Sequence, residues 1–349
     1  MSQEAKMDIR RLTMEELTEY FKERDYPAFR ARQVYHWLWQ KQAKTFEEMT
    51  SLSKDLRIRL ADEFDIHTIE LDTAQYSQDG TIKSRFRLFD DNLIESVLIP
   101  VTKDDRYTVC VSTQVGCSLA CSFCATGKMK RMRNLSAGEI YDQYVEVNAL
   151  SLDKYDHPLT NVVYMGMGEP LLNYKETMRS IDLLTEPEGL NISPKRITVS
   201  TAGIAKMIQR LADDKVKFNL ALSLHAADDK KRNEIMAINE TNDLGSLMEA
   251  IQSFYKKTGN RISYEYIAFN GFNDTEEDAY NLIQLCQRFP VRVNIIEYNP
   301  VEGVPYKKSS ADQLDKFAGI LVDHGVMTTV RRSRGKDIDA ACGQLANKG

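Results

Sequence analysis

The chain has 349 residues, 42% hydrophobic and 28% charged, with a net charge of −5 from 46 basic and 51 acidic residues. That is enough to bury a large core, in one big domain plus an appendage. No apolar stretch is long enough to cross a bilayer. The start, Met1-Ser-Gln-Glu-Ala-Lys, lacks the apolar centre of a signal peptide, so a cytoplasmic protein with no membrane partner is expected. Six cysteines are too few for a disulfide scaffold in so long a chain; in a reducing compartment, clustered cysteines are metal ligands or reactants. The acidic balance does not advertise nucleic-acid binding, although a local basic patch can set the field at a groove.

From Thr13 to Phe64 the pattern is helical. In Phe29-Arg-Ala-Arg-Gln-Val-Tyr-His-Trp-Leu-Trp, residues Ala31, Val34, Tyr35 and Leu38 form one apolar stripe, with Arg30 and Arg32 off it. This is either an RNA-binding helical module or a small helical domain packed on the main one. Residues 84–100 predict a strand pair turning at Asp90-Asp91. Glu95 interrupts its second strand with Leu93, Val97 and Ile99 on the same side of the pleat. A carboxylate there faces a cavity or lies at a wet edge; desolvation would disfavour its charged form and suit it to proton abstraction.

From Arg106 strand-like runs begin near Thr108, Asn161, Arg196, Lys217, Arg261 and Arg292. Each is followed by a helical run, near Ser136, Tyr174, Ile204, Leu244, Thr275 and Ala311. Ser136-Ala-Gly-Glu139 is a capping box. Six strand–helix units predict an α/β fold with a parallel sheet and right-handed crossovers, a partial, TIM-like (β/α)6 barrel. The predicted domains are 1–83 (helical accessory), 84–105 (β-hairpin extension) and 106–349 (barrel core with a C-terminal cysteine segment).

Chemistry collects at the C-terminal ends of such strands. Cys117-Ser-Leu-Ala-Cys121-Ser-Phe-Cys124 follows the first. Gly166-Met-Gly168-Glu169-Pro170, Ser200-Thr201, Ser223-Leu224-His225 and Asn299-Pro300 end later ones. Each has a plainer reading as a turn or a structural polar residue. The C-x3-C-x2-C spacing can grip three corners of a cubane cluster and leave the fourth iron open. Structural zinc usually takes four ligands in two separated pairs, and no second pair follows. Two basic runs, Lys128 to Arg133 and Arg331 to Lys336, lie after the cysteine loop and before Cys342. Either is a solvated surface or a contact for a polyanion.

The cysteine spacing is similar to that of radical S-adenosylmethionine (SAM) enzymes. From about Phe29 to Leu345 the chain resembles the RlmN/Cfr family of radical SAM RNA methyltransferases. The resemblance is carried by Cys110-Val-Ser-Thr-Gln-Val-Gly-Cys117, Cys121-Ser-Phe-Cys124-Ala-Thr-Gly, Met165-Gly-Met-Gly-Glu-Pro170, Ser223-Leu-His225 and Asp337-Ile-Asp-Ala-Ala-Cys342-Gly-Gln-Leu345. It implies methylation of adenine carbon 2 in 23S rRNA (position 2503 in conventional numbering) and in some transfer RNAs (position 37). Pro170 resembles the carbon 2 branch; the alternatives are the Cfr-type carbon 8 reaction and a radical enzyme on a non-RNA substrate.

The resemblance also implies one [4Fe-4S] cluster on Cys117, Cys121 and Cys124, and two SAM molecules per turnover. Gly168, Glu169, Ser200, Ser223, Leu224, His225 and Asn299 would line the cofactor. Cys342 would be the methyl-carrying thiol, Cys110 its disulfide partner and Glu95 the base for the ring proton. A flavodoxin-like electron donor, a thiol reductant and a monomeric state are implied as well. Cys286 lies on an amphipathic helix and reads as a small core residue.

Overall fold

A computed structural model describes residues 6–347; the leader reading of residues 1–5 lies outside them. Three helices open the chain: α1 (Met14–Lys22), α2 (Phe29–Trp39) and α3 (Lys54–Glu63). Thr13 caps α1 with a reciprocal capping box to Glu16, and Ser53 caps α3. The apolar stripe of α2 is buried at Ala31, Val34 and Leu38. This module packs on the main body and shares one continuous core with it. A buried ion pair from Arg10 Nη1 to Asp142 Oδ1 (2.8 Å) ties it down.

An antiparallel extension follows, made of β1 (Glu70–Tyr76), β2 (Ile82–Arg87) and β3 (Leu93–Val101). It has one strand more than the pair expected over 84–100. β1 was missed because Glu-Leu-Asp-Thr-Ala-Gln-Tyr is a polar edge strand with no buried residue.

β3 continues antiparallel into β4 (Arg106–Cys110), where the parallel part begins. There β5 (Asn161–Tyr164), β6 (Ile197–Thr201), β7 (Asn219–Ser223), β8 (Ile262–Ala268), β9 (Arg292–Glu297) and β10 (Met327–Arg331) lie side by side. The ten strands form one sheet, ordered β10-β9-β8-β7-β6-β5-β4-β3-β2-β1. Each of the six expected helices is present: α4 (Ala137–Tyr155), α5 (Tyr174–Thr185), α6 (Ala205–Asp213), α8 (Leu244–Thr258), α9 (Glu276–Cys286) and α10 (Ala311–Asp323). A short polar helix, α7 (Asp229–Ile235), precedes α8. β10 is a seventh parallel strand beyond the six expected. Among the described residues no helix is long and apolar enough to cross a membrane.

Candidate active site

The parallel strand ends surround a cleft of about 1170 Å³, its open mouth included. The loop after β4 supplies Cys117, Cys121 and Cys124 to its wall. This loop is pinned at several points. Ser122 N donates to the Ile235 carbonyl (3.0 Å), and Ala125 N to the Gly343 carbonyl (2.7 Å). Thr126 Oγ1 donates to the Leu345 carbonyl (2.6 Å). Among the described residues no three His, Cys, Asp or Glu side chains stand close enough to share one ion. Burial pushes the Cys117 thiol up to about 11, and burial with the neighbouring thiols pushes Cys121 well above the ordinary range. Burial also raises Cys124, against bonds from Thr126 and Gly127. Desolvated thiols in one wall, deprotonated only when a metal binds, fit a cluster.

The loop after β5 lies against the cysteine loop. Gly168 has φ +94°, and a Cβ there would stand 2.5 Å from Gln114 Cβ, so no other residue fits. Glu169 follows and is buried. Its Oε1 accepts Leu171 N (3.0 Å) and its Oε2 accepts Ala202 N (2.7 Å). Burial nevertheless raises its carboxyl to about 7. With both oxygens tied to backbone amides, this side chain holds its loop to the end of β6.

Ser200 and Ser223 line the cleft from neighbouring strands, their hydroxyls 3.4 Å apart. His225 sits at φ +56°, and its Nδ1 accepts Ile267 N (3.0 Å). Burial, reinforced by Arg232, lowers the ring to about 3. It is therefore neutral, with its proton on Nε2 as a donor.

Leu224 and Asn299 do not line the cleft. Leu224 is fully buried, and its carbonyl accepts Arg232 Nε (3.1 Å). Asn299 Nδ2 bonds Ser333 Oγ (2.7 Å) and the Glu297 carbonyl (3.1 Å), tying down the start of the C-terminal segment.

Cys110 and Cys342, far apart in sequence, both line this cleft. Burial pushes Cys110 far above the ordinary thiol range, and Cys342 adds to that. Cys342 is exposed, yet its exposed face is the wall of the cleft rather than the outer surface. Surrounding protein, then Glu265, raises its thiol as well.

The segment carrying Cys342 is stitched on both sides. Upstream, Asp337 accepts Ser77 Oγ (2.5 Å) and Gln78 N (3.1 Å), and Asp79 Oδ2 accepts Gly335 N (2.9 Å). Gly335 has φ +64°, and a Cβ there would lie 2.6 Å from Ala340 Cβ. Downstream, Gly343 and Leu345 bond the cysteine loop as above.

Glu95 is 1% exposed and lies just off the cleft lining. Its Oε2 accepts Ala346 N (2.9 Å) and Asn347 N (3.1 Å). Lys83 Nζ stands 3.5 Å from Oε1. The carboxylate is buried rather than at a wet edge, and Val97, on the same side of the strand, is in the cleft wall.

Glu265 was not anticipated. It is buried on β8, lines the cleft, and its Oε2 accepts no hydrogen bond. Its signal was a lone charge inside Ile-Ser-Tyr-Glu-Tyr-Ile-Ala. Arg331, proposed above as a surface cation, reaches toward it, with Nη1 3.5 Å from Oε2.

The basic runs are largely engaged within the molecule. Arg133 pairs with Asp90 (2.6 Å) and Glu139 (2.7 Å). Lys128 Nζ donates to the Glu302 carbonyl (2.8 Å). Arg332 pairs with Asp315 (2.8 Å) and Lys336 with Glu297 (2.5 Å). Burial would raise Glu297, but Lys308 and Lys336 hold it at about 2.

The fold and its cysteine loop define a radical SAM enzyme. Residues 111–283 match the radical SAM superfamily, and residues 7–66 match the ribosomal RNA large subunit methyltransferase N-terminal domain. The chain is 54% identical to a probable dual-specificity RNA methyltransferase RlmN of Cytophaga hutchinsonii, over 97% of this chain and 93% of that protein. It is 42% identical to the dual-specificity RNA methyltransferase RlmN of Campylobacter jejuni, over 95% of this chain and 96% of that one. A crystal structure of a radical SAM methyltransferase from Sphaerobacter thermophilus superposes with a TM-score of 0.90 at 41% identity, covering 98% of this chain and 100% of that one. The chain belongs to the RlmN family of radical SAM RNA methyltransferases.

Proposed function

We propose that this enzyme methylates carbon 2 of adenine in 23S rRNA and transfer RNA, with Cys342 as methyl carrier, Cys110 as resolving thiol and Glu95 as base. The observation that carries this reading is the meeting of Cys110 and Cys342 in the same cleft as the three-cysteine loop. A radical enzyme without a protein-borne methyl has no need of paired thiols outside its cluster.

Adenine carbon 2 lies between two ring nitrogens and is not nucleophilic, so it cannot attack a sulfonium methyl directly. Cys342 can, as a thiolate, and one SAM methylates it with release of S-adenosylhomocysteine. Cys117, Cys121 and Cys124 would hold the cluster, which when bound with a second SAM supplies a one-electron cleavage and a carbon radical that removes hydrogen from the Cys342 methyl. The methylene radical on Cys342 adds to the base, and the adduct, once it gives up its unpaired electron, which the oxidised cluster would take back, is a closed-shell thioether between protein and RNA. Glu95 takes the ring proton. Cys110, giving up its thiol proton, attacks Cys342 Sγ; the carbon–sulfur bond breaks with its electron pair going to the methylene carbon, which takes up a proton to become the methyl group, and a disulfide forms. An external thiol then reduces that disulfide.

The deciding experiment uses anaerobic protein with its cluster reconstituted, dithionite, SAM and an rRNA fragment, followed by nucleoside mass spectrometry. 2-Methyladenosine is the expected product. 8-Methyladenosine would overturn the carbon 2 assignment, and 5′-deoxyadenosine without a methylated base would overturn the choice of RNA.

A further inference from the structure

The face of the sheet that carries Cys110 continues beyond the cleft into the antiparallel extension. Cys110 on β4 lies opposite Val97 on β3, and Val97 lies opposite Lys83 on β2. Opposed residues share a face, and so do alternate residues along a strand. Glu95 is two residues from Val97. Lys83, Glu95, Val97 and Cys110 therefore lie on one continuous face, and Val97 and Cys110 are part of the cleft wall.

Lys83 is itself 4% exposed, which is unusual for a lysine. Its partner is Glu95 Oε1. Arg85, directly opposite Glu95, turns elsewhere: its Nε donates to Asp72 Oδ2 (2.6 Å) and its Nη1 to the Asn347 carbonyl (3.3 Å). The cation placed beside Glu95 is thus Lys83.

The two oxygens of Glu95 are not equivalent. Oε2 is held by the amides of Ala346 and Asn347, whereas Oε1 is sealed from solvent and accepts no hydrogen bond. Lys83 Nζ, 3.5 Å away, is the charge that faces Oε1.

We propose that Lys83 is a positioning residue that supplies the buried counter-charge to Glu95 and holds its carboxylate toward the cleft face, and so sets the rate of proton removal from the RNA adduct. This rests on the reading of Glu95 as the base. In the step concerned, the ring C–H bond breaks, its electron pair stays in the ring, and the proton passes to the Glu95 carboxylate.

The test follows the covalent protein–RNA adduct on denaturing gels, alongside 2-methyladenosine formation, in the reconstituted enzyme. Glu95→Gln should form the adduct and leave it unresolved. Lys83→Met should form adduct at the wild-type rate, which also reports an intact fold, and resolve it about tenfold or more slowly. Lys83→Gln, which keeps a donor toward Oε1 but no charge, should behave like Lys83→Met. Lys83→Arg should restore resolution. Wild-type resolution in both Lys83→Met and Lys83→Gln, with Glu95→Gln stalled, overturns the role of Lys83 and leaves the base reading standing. Wild-type resolution in Glu95→Gln overturns the base reading itself.

Discussion

Two buried glutamates, one among the parallel strand ends and one in the antiparallel extension, show how differently these regions use a carboxylate. Glu169 has both oxygens committed to backbone amides of its own and a neighbouring loop, and burial lifts it to about 7. Glu95 has one oxygen held by tail amides, the other without a donor, and Lys83 beside it. The first is fastened scaffold that shapes the cleft. The second sits where its partners can change.

The most severe way to probe that contrast is to remove the group both regions serve. Cys342→Ala should abolish methylation while 5′-deoxyadenosine still forms; unchanged 2-methyladenosine would break the whole reading. Exchanging the carboxylates for amides comes next. Glu169→Gln forces an NH2 group against Leu171 N or Ala202 N and should cost about 1–3 kcal/mol, seen as a lower melting temperature. Glu95→Gln should stall the RNA adduct instead.

The pH dependence sharpens the comparison further. In the folded state the carboxyl of Glu169 titrates near 7, above its ordinary 4.5. Between those values the folded state binds more protons than the unfolded one. This contribution is fully present below about pH 4.5 and is lost as pH rises through about 7. Denaturant titrations of cluster-free protein should show that slope in the wild type and lose it in Glu169→Gln.

Smaller effects concern the basic runs. Arg133→Ala strands Glu139, which is 3% exposed in its side chain, and should lower stability by roughly 1–3 kcal/mol. Lys130→Ala should leave the melting temperature unchanged and weaken RNA binding in a salt-dependent way. Cys286→Ala should change neither stability nor methylation appreciably, as measured by melting and product yield.

The elements that were legible in the sequence are those whose pattern faces a core. The strands Ile197–Thr201 and Ile262–Ala268 and the helices after them, the second capped by Thr275, carry their periods plainly. Met327–Arg331 alternates half-buried and exposed positions at the sheet edge, and Glu70–Tyr76 buries nothing, so neither carries an apolar signature. In the site, the cysteine loop was legible because its spacing is local. The encounter of Cys110 with Cys342, the Lys83–Glu95 pair and the approach of Arg331 to Glu265 join residues that only the sheet brings together. The internal partners of the basic runs were not legible, because acidic groups such as Asp90, Glu139 and Asp315 lie far away in sequence or on another element. Side chains at strand ends were legible by position, but their partners were not: the Leu224 side chain packs in the core, and Asn299 Nδ2 bonds Ser333.

The stitching of the C-terminal segment sets a mechanical limit on Cys342. Downstream it is one residue from Gly343, whose carbonyl is bonded to the cysteine loop, so its Cα can swing only about 3.8 Å from that anchor. Upstream, four residues lie between Cys342 and Asp337, five Cα steps that would span up to about 17 Å when extended. Within that span Ile338 N and Ala340 N both bond the Gly335 carbonyl, and Ala340 and Ala341 are buried, so the upstream arm is folded down as well. The sulfur is thus clamped from both sides, and any nucleotide joined to it is held at the cleft until that bond is cut.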